Sequence, residues 1–459
     1  MKLLLLPLMG NRPCAYGTRP WYNPHLMKRI LLHILAGVVG FLVLVFALIG
    51  FFSVTRGTPV KRVQAPGDPN GPPAVNDSMF QPTLELATGM HLEPGNAIEV
   101  MINGNQTYPR VWNDLRHAKR SITLQMYYAQ PGQVADTMKA IVMERARAGV
   151  RVLFLNDAFG AQNLKEEYWN DLKRAGVRVS TFRPVKWYDL HKAAFRSHIR
   201  VIVVDGSVAY TGGFGMDDKW LGDGRHKDQW RDSNVRFRGP AVMALQATFA
   251  AGWAEATGEL LTGDLFFPPK ELKHDGTQLA TVLHTAPTIG STAAERYLAL
   301  SIASARKTLY VSNSYFVPDE DFRKLLIAAA KRGVDVRILT TSSETDVKTT
   351  WRAGRAHYEQ LLGGGVRVYE YQPVMMHAKS IVADGMWGGV GTMNFDNRSM
   401  VFNDESMLVG LDTTFGRQLD AIFMEDLKFA KEMKLAEFRR RPWTDKVMEQ
   451  AAVVFSRVL

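Results

Sequence analysis

Hydrophobic and polar positions along this chain follow two rhythms, and the same succession of rhythms is spelled twice. Residues 122–128 alternate and are rich in β-formers, 134–147 carry apolar residues at helical spacing and stop at Gly149, and 150–155 form a short apolar run of buried-strand type. The order then returns: residues 120–128 match 307–315, 147–153 match 331–337, and 175–179 match 364–368, each of the last pair followed by Pro-Val. The spacing predicts strand, helix, strand, helix, strand in each of two similar halves, an α/β fold with helices covering a sheet. The period is far beyond that of a solenoid, so the pattern reads as duplication.

The pattern changes sharply near the start. Residues 30–54 are apolar apart from His33 and Ser53, long enough to cross a hydrocarbon core of ~30 Å, and no small-x-small cleavage site follows them. They predict an uncleaved transmembrane helix. Its orientation is open: Lys2, Arg12, Arg19, Lys28 and Arg29 precede it and Arg56, Lys61 and Arg62 follow, but a start at Met27 reverses the bias. Five prolines in 58–74 read as an extended tether. The expected partition is a leader over 1–29, the membrane helix over 30–54, a Pro/Gly-rich linker over 55–90, one half over 91–258, a second linker over 259–278, and the other half with a C-terminal tail over 279–459. Cys14, the one cysteine, lies in the leader, which excludes intrachain disulfides and Cys-rich zinc sites. A net charge of +11 points to an anionic partner, phospholipid or nucleic acid. The absence of a basic helix or an aromatic-basic stripe disfavours nucleic acid.

The candidate chemistry sits on the repeat. His198-Ile199-Arg200, four apolar residues and Asp205-Gly206 is echoed by His377-Ala378-Lys379, four residues and Asp384-Gly385. Glycine turns follow, Thr211-Gly212-Gly213 and Gly391-Thr392-Met393-Asn394. On a strand, a histidine and a cation two residues apart share a face, so an imidazole stands beside a fixed positive charge twice, as phosphoryl transfer requires. Imidazole serves as nucleophile or as acid/base near neutral pH. Asp205 and Asp384 end their strands, where holding turns and cations is expected of them more than touching substrate.

The paired motifs resemble the phospholipase D superfamily. Flanking segments such as Trp230-Arg231-Asp232, Arg238-Gly239-Pro240 and Gly391-Thr392-Met393-Asn394-Phe395-Asp396-Asn397-Arg398-Ser399 look more narrowly like bacterial cardiolipin synthases, from Gly95 to the C-terminus. The resemblance implies two pseudo-twofold-related halves, each a mixed sheet flanked by helices, and a phosphatidyl transfer that needs no metal or cofactor. The substrate it implies is phosphatidylglycerol in a bacterial inner membrane. His198 is the implied nucleophile and His377 the acid/base, with Arg200 and Lys379 on phosphate oxygens, Glu405 orienting His198 and Asp232 orienting His377. Asn394, Gly213 and Ser399 are implied substrate contacts.

The first motif departs from that family's pattern twice. Arg200 stands where lysine is usual and Gly215 where an asparagine is expected, and an Arg-for-Lys exchange is not conservative. A hydrolytic phospholipase D, with water as acceptor, shares the covalent half-reaction, and a non-catalytic lipid-binding protein is the alternative of another class. His191, His226 and the loop 221–227 read as solvated surface, and Tyr128 and Tyr315 as cleft-lining or packing residues. Val447, Met448, Ala451, Val454, Phe455 and Val458 recur at helical spacing, which favours a helix packed on the body over one lying on a membrane.

Overall fold

Among the described residues seventeen strands carry the architecture, and they arrange the duplication in space. The computed structural model describes residues 24–54, 59–68, 71–184, 194–268, 275–288 and 290–454; Cys14, His191, Phe455 and Val458 lie outside these. The chain divides into two units, Met1–Arg56 and Gly57–Leu459. The first contains the helix Pro24–Val54, of which Met27–Leu48 has mean hydropathy 2.8 and is long and apolar enough to cross a membrane. Its apolar side chains face outward all round, an arrangement suited to lipid.

In the second unit the first half contributes β1 (Glu93–Ile102), β2 (Ser121–Met126), β3 (Arg151–Asp157), β4 (Arg178–Phe182), β5 (Val201–Val204), β6 (Val208–Gly212), the short β7 (Trp230–Arg231) and β8 (Ser233–Arg238). The second half contributes β9 (Gln278–Thr285), β10 (Thr308–Asn313), β11 (Asp335–Thr341), β12 (Arg367–Tyr371), the short β13 (Met375–Met376), β14 (Lys379–Ala383), β15 (Trp387–Gly391), β16 (Glu405–Leu411) and β17 (Ala430–Met433). Fifteen of these strands form one sheet. From the junction outward its first half runs β1-β8-β6-β5-β2-β3-β4 and its second β9-β16-β15-β14-β10-β11-β12, with β17 added at the edge. The two runs are the same order of equivalent strands, joined by the antiparallel β1–β9 pair. Each half is mixed: β2, β3 and β4 are parallel, as are β10, β11 and β12, and the remaining pairs within each half are antiparallel. The parallel connections pass through helices, Gln133–Arg147 and Glu166–Arg174 in one half and Glu320–Lys331 in the other, as crossovers must.

A shared core binds the halves: Ala209, Val235 and Phe237 of the first pack in one cluster with Val382, Val390 and Leu408 of the second. Strands such as Val201–Val204 are buried at every position, as their unbroken apolar runs dictate. The residues 55–90, expected as linker, contain the helix Phe80–Thr88. Its Phe80 and Leu84 are fully buried, and Phe80 meets the ring of Trp387 edge-on at 5.4 Å. Each such burial contributes about 1.5–3 kcal/mol. The i, i+4 stripe that drives this docking is short, and the preceding prolines masked it. Arg306 also donates to the Pro72 carbonyl, fixing the end of the expected tether. In the expected second linker, the described residues 261–268 likewise dock, with Leu261 and Phe266 buried in the shared core.

Candidate active site

The motif aspartates build turns. Asp205 and Gly206 have φ of +53° and +66°, and Asp384 and Gly385 of +53° and +62°. Ser207 N–H donates to the Val204 carbonyl at 3.0 Å and Met386 N–H to that of Ala383 at 3.1 Å. Two successive left-handed residues make the type I′ turn that suits a twisted hairpin, for which Asp-Gly is a preferred pair. The Asp205 carboxylate then accepts from the backbone N–H groups of Lys119, Arg120 and Ser121 at 2.9, 2.7 and 2.9 Å. Asp384 does the same for Arg306, Lys307 and Thr308 at 2.9, 2.7 and 2.9 Å. Each aspartate thus ties a hairpin turn to the start of the neighbouring strand. Both are held by backbone amides, and neither lines the cavity described below.

Each histidine is set in place by the opposite half. Ser197 forms a parallel bridge to Asp404, and β13 pairs in parallel with β7. His198 N–H donates to the Asp404 carbonyl at 2.9 Å, and His377 N–H to that of Arg231 at 2.7 Å. The next residue on each partner segment is a carboxylate. His198 Nδ1 lies 3.0 Å from both oxygens of Glu405, and His377 Nδ1 lies 2.8 Å from Oδ2 of Asp232. A carboxylate on Nδ1 fixes tautomer and ring plane and leaves Nε2 as the reactive nitrogen. The Asp232 carboxylate also accepts from the Trp220 indole at 2.7 Å and the Ser233 N–H at 2.8 Å. Glu405 accepts from the Thr392 hydroxyl at 2.5 Å and the Asn403 amide at 3.2 Å.

The cations are placed by their own motif backbone rather than by strand alternation, because β5 and β14 begin after the histidines. Lys379 Nζ donates to the His377 carbonyl at 2.6 Å; Arg200 Nη1 donates to that of His198 at 2.9 Å, and its Nε to Phe214 at 3.0 Å. His198 and His377 line one cavity of about 330 Å³ with Arg200, Asn394, Tyr128 and Tyr315. Lys379, fully buried, sits outside that cavity's wall, with Nζ 5.9 Å from the Tyr315 ring. Two expected substrate contacts also lie behind the wall. Ser399 Oγ accepts from the Asn394 N–H at 3.1 Å, and Gly213 packs so closely on Asp232 that a β-carbon there would enter the carboxylate.

The rest of the wall was not singled out from sequence. Tyr127 meets His198 edge-on at 4.9 Å, and Trp220 and Trp230 lie 5.3 and 4.8 Å from His377. Asp346, Val347, Thr350, Asp396, Arg398 and Asn403 complete the second half's side. Trp230, Asp396 and Arg398 stood inside flanking segments already marked by resemblance, whereas Trp220 carried no signal. Trp220 explains Gly215: a β-carbon at Gly215 would come within 2.8 Å of the indole, which takes the space of the expected asparagine. Among the bland expectations, His226 is exposed near Asp223, and Tyr315 both lines the cavity and donates to Asp346 at 2.7 Å.

Burial dominates the electrostatics. It depresses His198 well below the usual imidazole range, helped by the charges of Arg200 and Lys379. Burial and Lys379 bring His377 down to about 3, against the pull of Asp232. Burial pushes Glu405 up to about 7 and Lys379 down to about 7. For Asp232 burial acts upward but is outweighed by His377, Lys379 and the Trp220 hydrogen bond, so this carboxyl is held below the usual range. The two histidine–carboxylate pairs are therefore equivalent in topology and unequal in charge.

Comparison with known proteins agrees with the duplicated geometry. A family model described as cardiolipin synthase, phospholipase D-like domain, matches residues 111–253 and 298–427, one stretch in each half. A cardiolipin synthase of Geobacillus kaustophilus is 34% identical over 384 residues, covering 83% of this chain and 76% of that one. Another, of Halalkalibacterium halodurans, is 33% identical over 364 residues, covering 79% and 72%. Among solved structures, phosphatidylserine synthase of Haemophilus influenzae superposes with a TM-score of 0.62 at 12% identity, covering 83% of this chain and all of that one. Polyphosphate kinase of Porphyromonas gingivalis gives 0.51 at 11% identity, covering 74% and 49%. These two share the fold. With both halves matched and more than three-quarters of the chain aligned to such relatives, the chain belongs to the cardiolipin synthase family of phospholipase D-like proteins.

Proposed function

We propose that this protein transfers the phosphatidyl group of one phosphatidylglycerol to the glycerol of a second, forming cardiolipin and releasing glycerol. The observation that carries this is the pair of imidazoles on one cavity, each with Nδ1 on a carboxylate of the opposite half. His198 Nε2 attacks the phosphorus, the bond to the departing glycerol oxygen breaks, and His377 supplies that oxygen's proton. The second phosphatidylglycerol then loses its hydroxyl proton to His377 as its oxygen attacks phosphorus and the P–N bond breaks. A covalent intermediate divides one hard displacement into two easier ones.

The inequality of the two pairs supports this order. A nucleophile must be neutral, and His198 is strongly biased to the neutral form. The proton carrier must hold charge transiently, and Asp232, with two further donors, stays ionised to steady an imidazolium at His377. An arriving phosphodiester brings negative charge beside His377 and offsets the repulsion of Lys379 and Arg200, raising its affinity for a proton. Those two cations stabilise the transferring phosphoryl group, Arg200 from the cavity wall and Lys379 from beneath it. The apolar helix suits a single-pass protein of the bacterial cell membrane, where this lipid resides.

Purified full-length protein in mixed micelles of phosphatidylglycerol, without added metal or nucleotide, is expected to yield cardiolipin and glycerol in equal amounts. Phosphatidic acid as the main product would assign a hydrolase instead. Retained synthesis by the His198→Ala, His377→Ala double variant would refute the mechanism.

A further inference from the structure

The C-terminal helix Trp443–Val453 buries the face opposite to its apolar one. Glu449 and Ala452 are 2% and 5% exposed. Ala452 packs with Val317 and Ala353, and Glu449 accepts from Arg355 at 3.1 Å and pairs with Arg441 at 2.7 Å. Trp443, Val447 and Met448, with Val454 just beyond, remain 75%, 54%, 48% and 78% exposed. The packing expected from the helical spacing does occur, but a buried ion pair and an alanine carry it, and the apolar stripe that prompted the expectation points away. At 100° per residue Trp443, Val447 and Val454 fall within one narrow arc centred opposite Glu449 and Ala452. Exposed apolar side chains gathered on one arc, a tryptophan among them, mark a contact surface.

Position and charge say which partner. The helix lies against Lys348–Arg355; Asp346 and Val347, which lead into that helix, and Thr350 in its first turn line the catalytic cavity. Five cations and three carboxylates lie within 434–454; Lys434 pairs with Glu432, Arg439 with Glu359 and Arg441 with Glu449. Exposed Arg440 and half-buried Lys446 flank the stripe, and Lys348 is exposed on the neighbouring helix. A tryptophan at the end of an apolar stripe with basic flanks is the pattern of a helix lying in the headgroup layer of an anionic bilayer.

We propose that this helix is an interfacial contact that seats the second half's cavity wall on the surface of an anionic bilayer. The proposal rests on the reading that the substrate is a bilayer phospholipid, and it adds how the cavity meets it. Apolar side chains enter the headgroup layer while the cations meet lipid phosphates, so long-chain substrate reaches the histidines without leaving the membrane.

The test uses the full chain in nanodiscs, in a Cys14→Ser background free of other thiols, with Val447→Cys carrying an environment-sensitive fluorophore and Glu437→Cys as the reference. In phosphatidylglycerol discs the label at 447 is expected to shift to apolar emission and to be about five-fold less accessible to an aqueous quencher than the label at 437, with a smaller difference in phosphatidylcholine discs. Equal quenching at both positions in anionic discs overturns the proposal. Shielding that appears only in discs holding two copies also overturns it, assigning the stripe to a second chain. In parallel, Trp443→Asp with Val447→Asp is expected to raise the apparent KM for long-chain phosphatidylglycerol in vesicles about five- to ten-fold. The kcat, and the KM for a monodisperse short-chain substrate, stay unchanged. Equal losses on both substrates overturn it. The fluorescence readout needs no turnover, so a protein that docks but does not make cardiolipin separates this inference from the proposed function.

Discussion

At the scale of single residues, two ionisations near neutrality oppose each other. Glu405, pushed up to about 7, gains the charge that holds His198 as pH rises, while Lys379, pushed down to about 7, loses its charge over the same range. Activity on phosphatidylglycerol is therefore expected to follow a bell centred near pH 7, whose limbs are apparent values of the coupled cluster. Lys379→Arg should abolish the alkaline limb, because a guanidinium does not titrate in that range. A pH–rate profile of the variant that still falls above pH 7 would show that another group sets this limb. The motif aspartates behave differently. Asp205→Ala leaves three backbone N–H groups without their acceptor, which is expected to cost about 1–3 kcal/mol and lower Tm while leaving kcat of the folded enzyme nearly unchanged. A large loss of kcat at unchanged Tm would place Asp205 in the chemistry instead.

At the scale of elements, close packing decides what the first motif tolerates. Gly215→Asn would restore the residue usual in the family, yet its β-carbon meets the Trp220 indole, which holds Asp232. The exchange is expected to lower kcat at least ten-fold, and Gly215→Asn with Trp220→Ala to recover part of that loss. A more active single variant would mean that the missing asparagine, not the indole, limits the site. Here the limits of sequence reasoning are physical. The succession of strands and crossover helices along the chain and the motif turns were legible because periodicity and Asp-Gly pairs are local signals. Trp220 was not, because its role comes from a partner twelve residues on and a ring from the other half. The helix Phe80–Thr88 was read as linker because its buried Phe80 finds its partner, Trp387, some three hundred residues away. The C-terminal helix was legible as a helix, while the face it buries depended on a salt bridge that hydrophobic spacing does not reveal.

At the scale of the whole molecule, neither half contains a complete catalytic pair. The backbone that aligns each histidine and the carboxylate that orients it both come from the other half, across the junction made by β1 and β9. Residues 91–258 and 279–459 produced as separate chains are thus expected to be inactive alone and to regain activity only when they associate. Activity in either piece by itself would contradict the cross-braced site. The unequal charge of the two pairs makes the most direct test a covalent one. Rapid acid-free quenching of the full-length enzyme with radiolabelled short-chain phosphatidylglycerol, followed by peptide mapping, should find the phosphatidyl group on His198. The adduct should be present in the wild-type enzyme, form more slowly in His377→Ala, which lacks the acid for the departing glycerol, and be absent in His198→Asn. Label on His377, or full cardiolipin synthesis with no label on either histidine, would contradict the account.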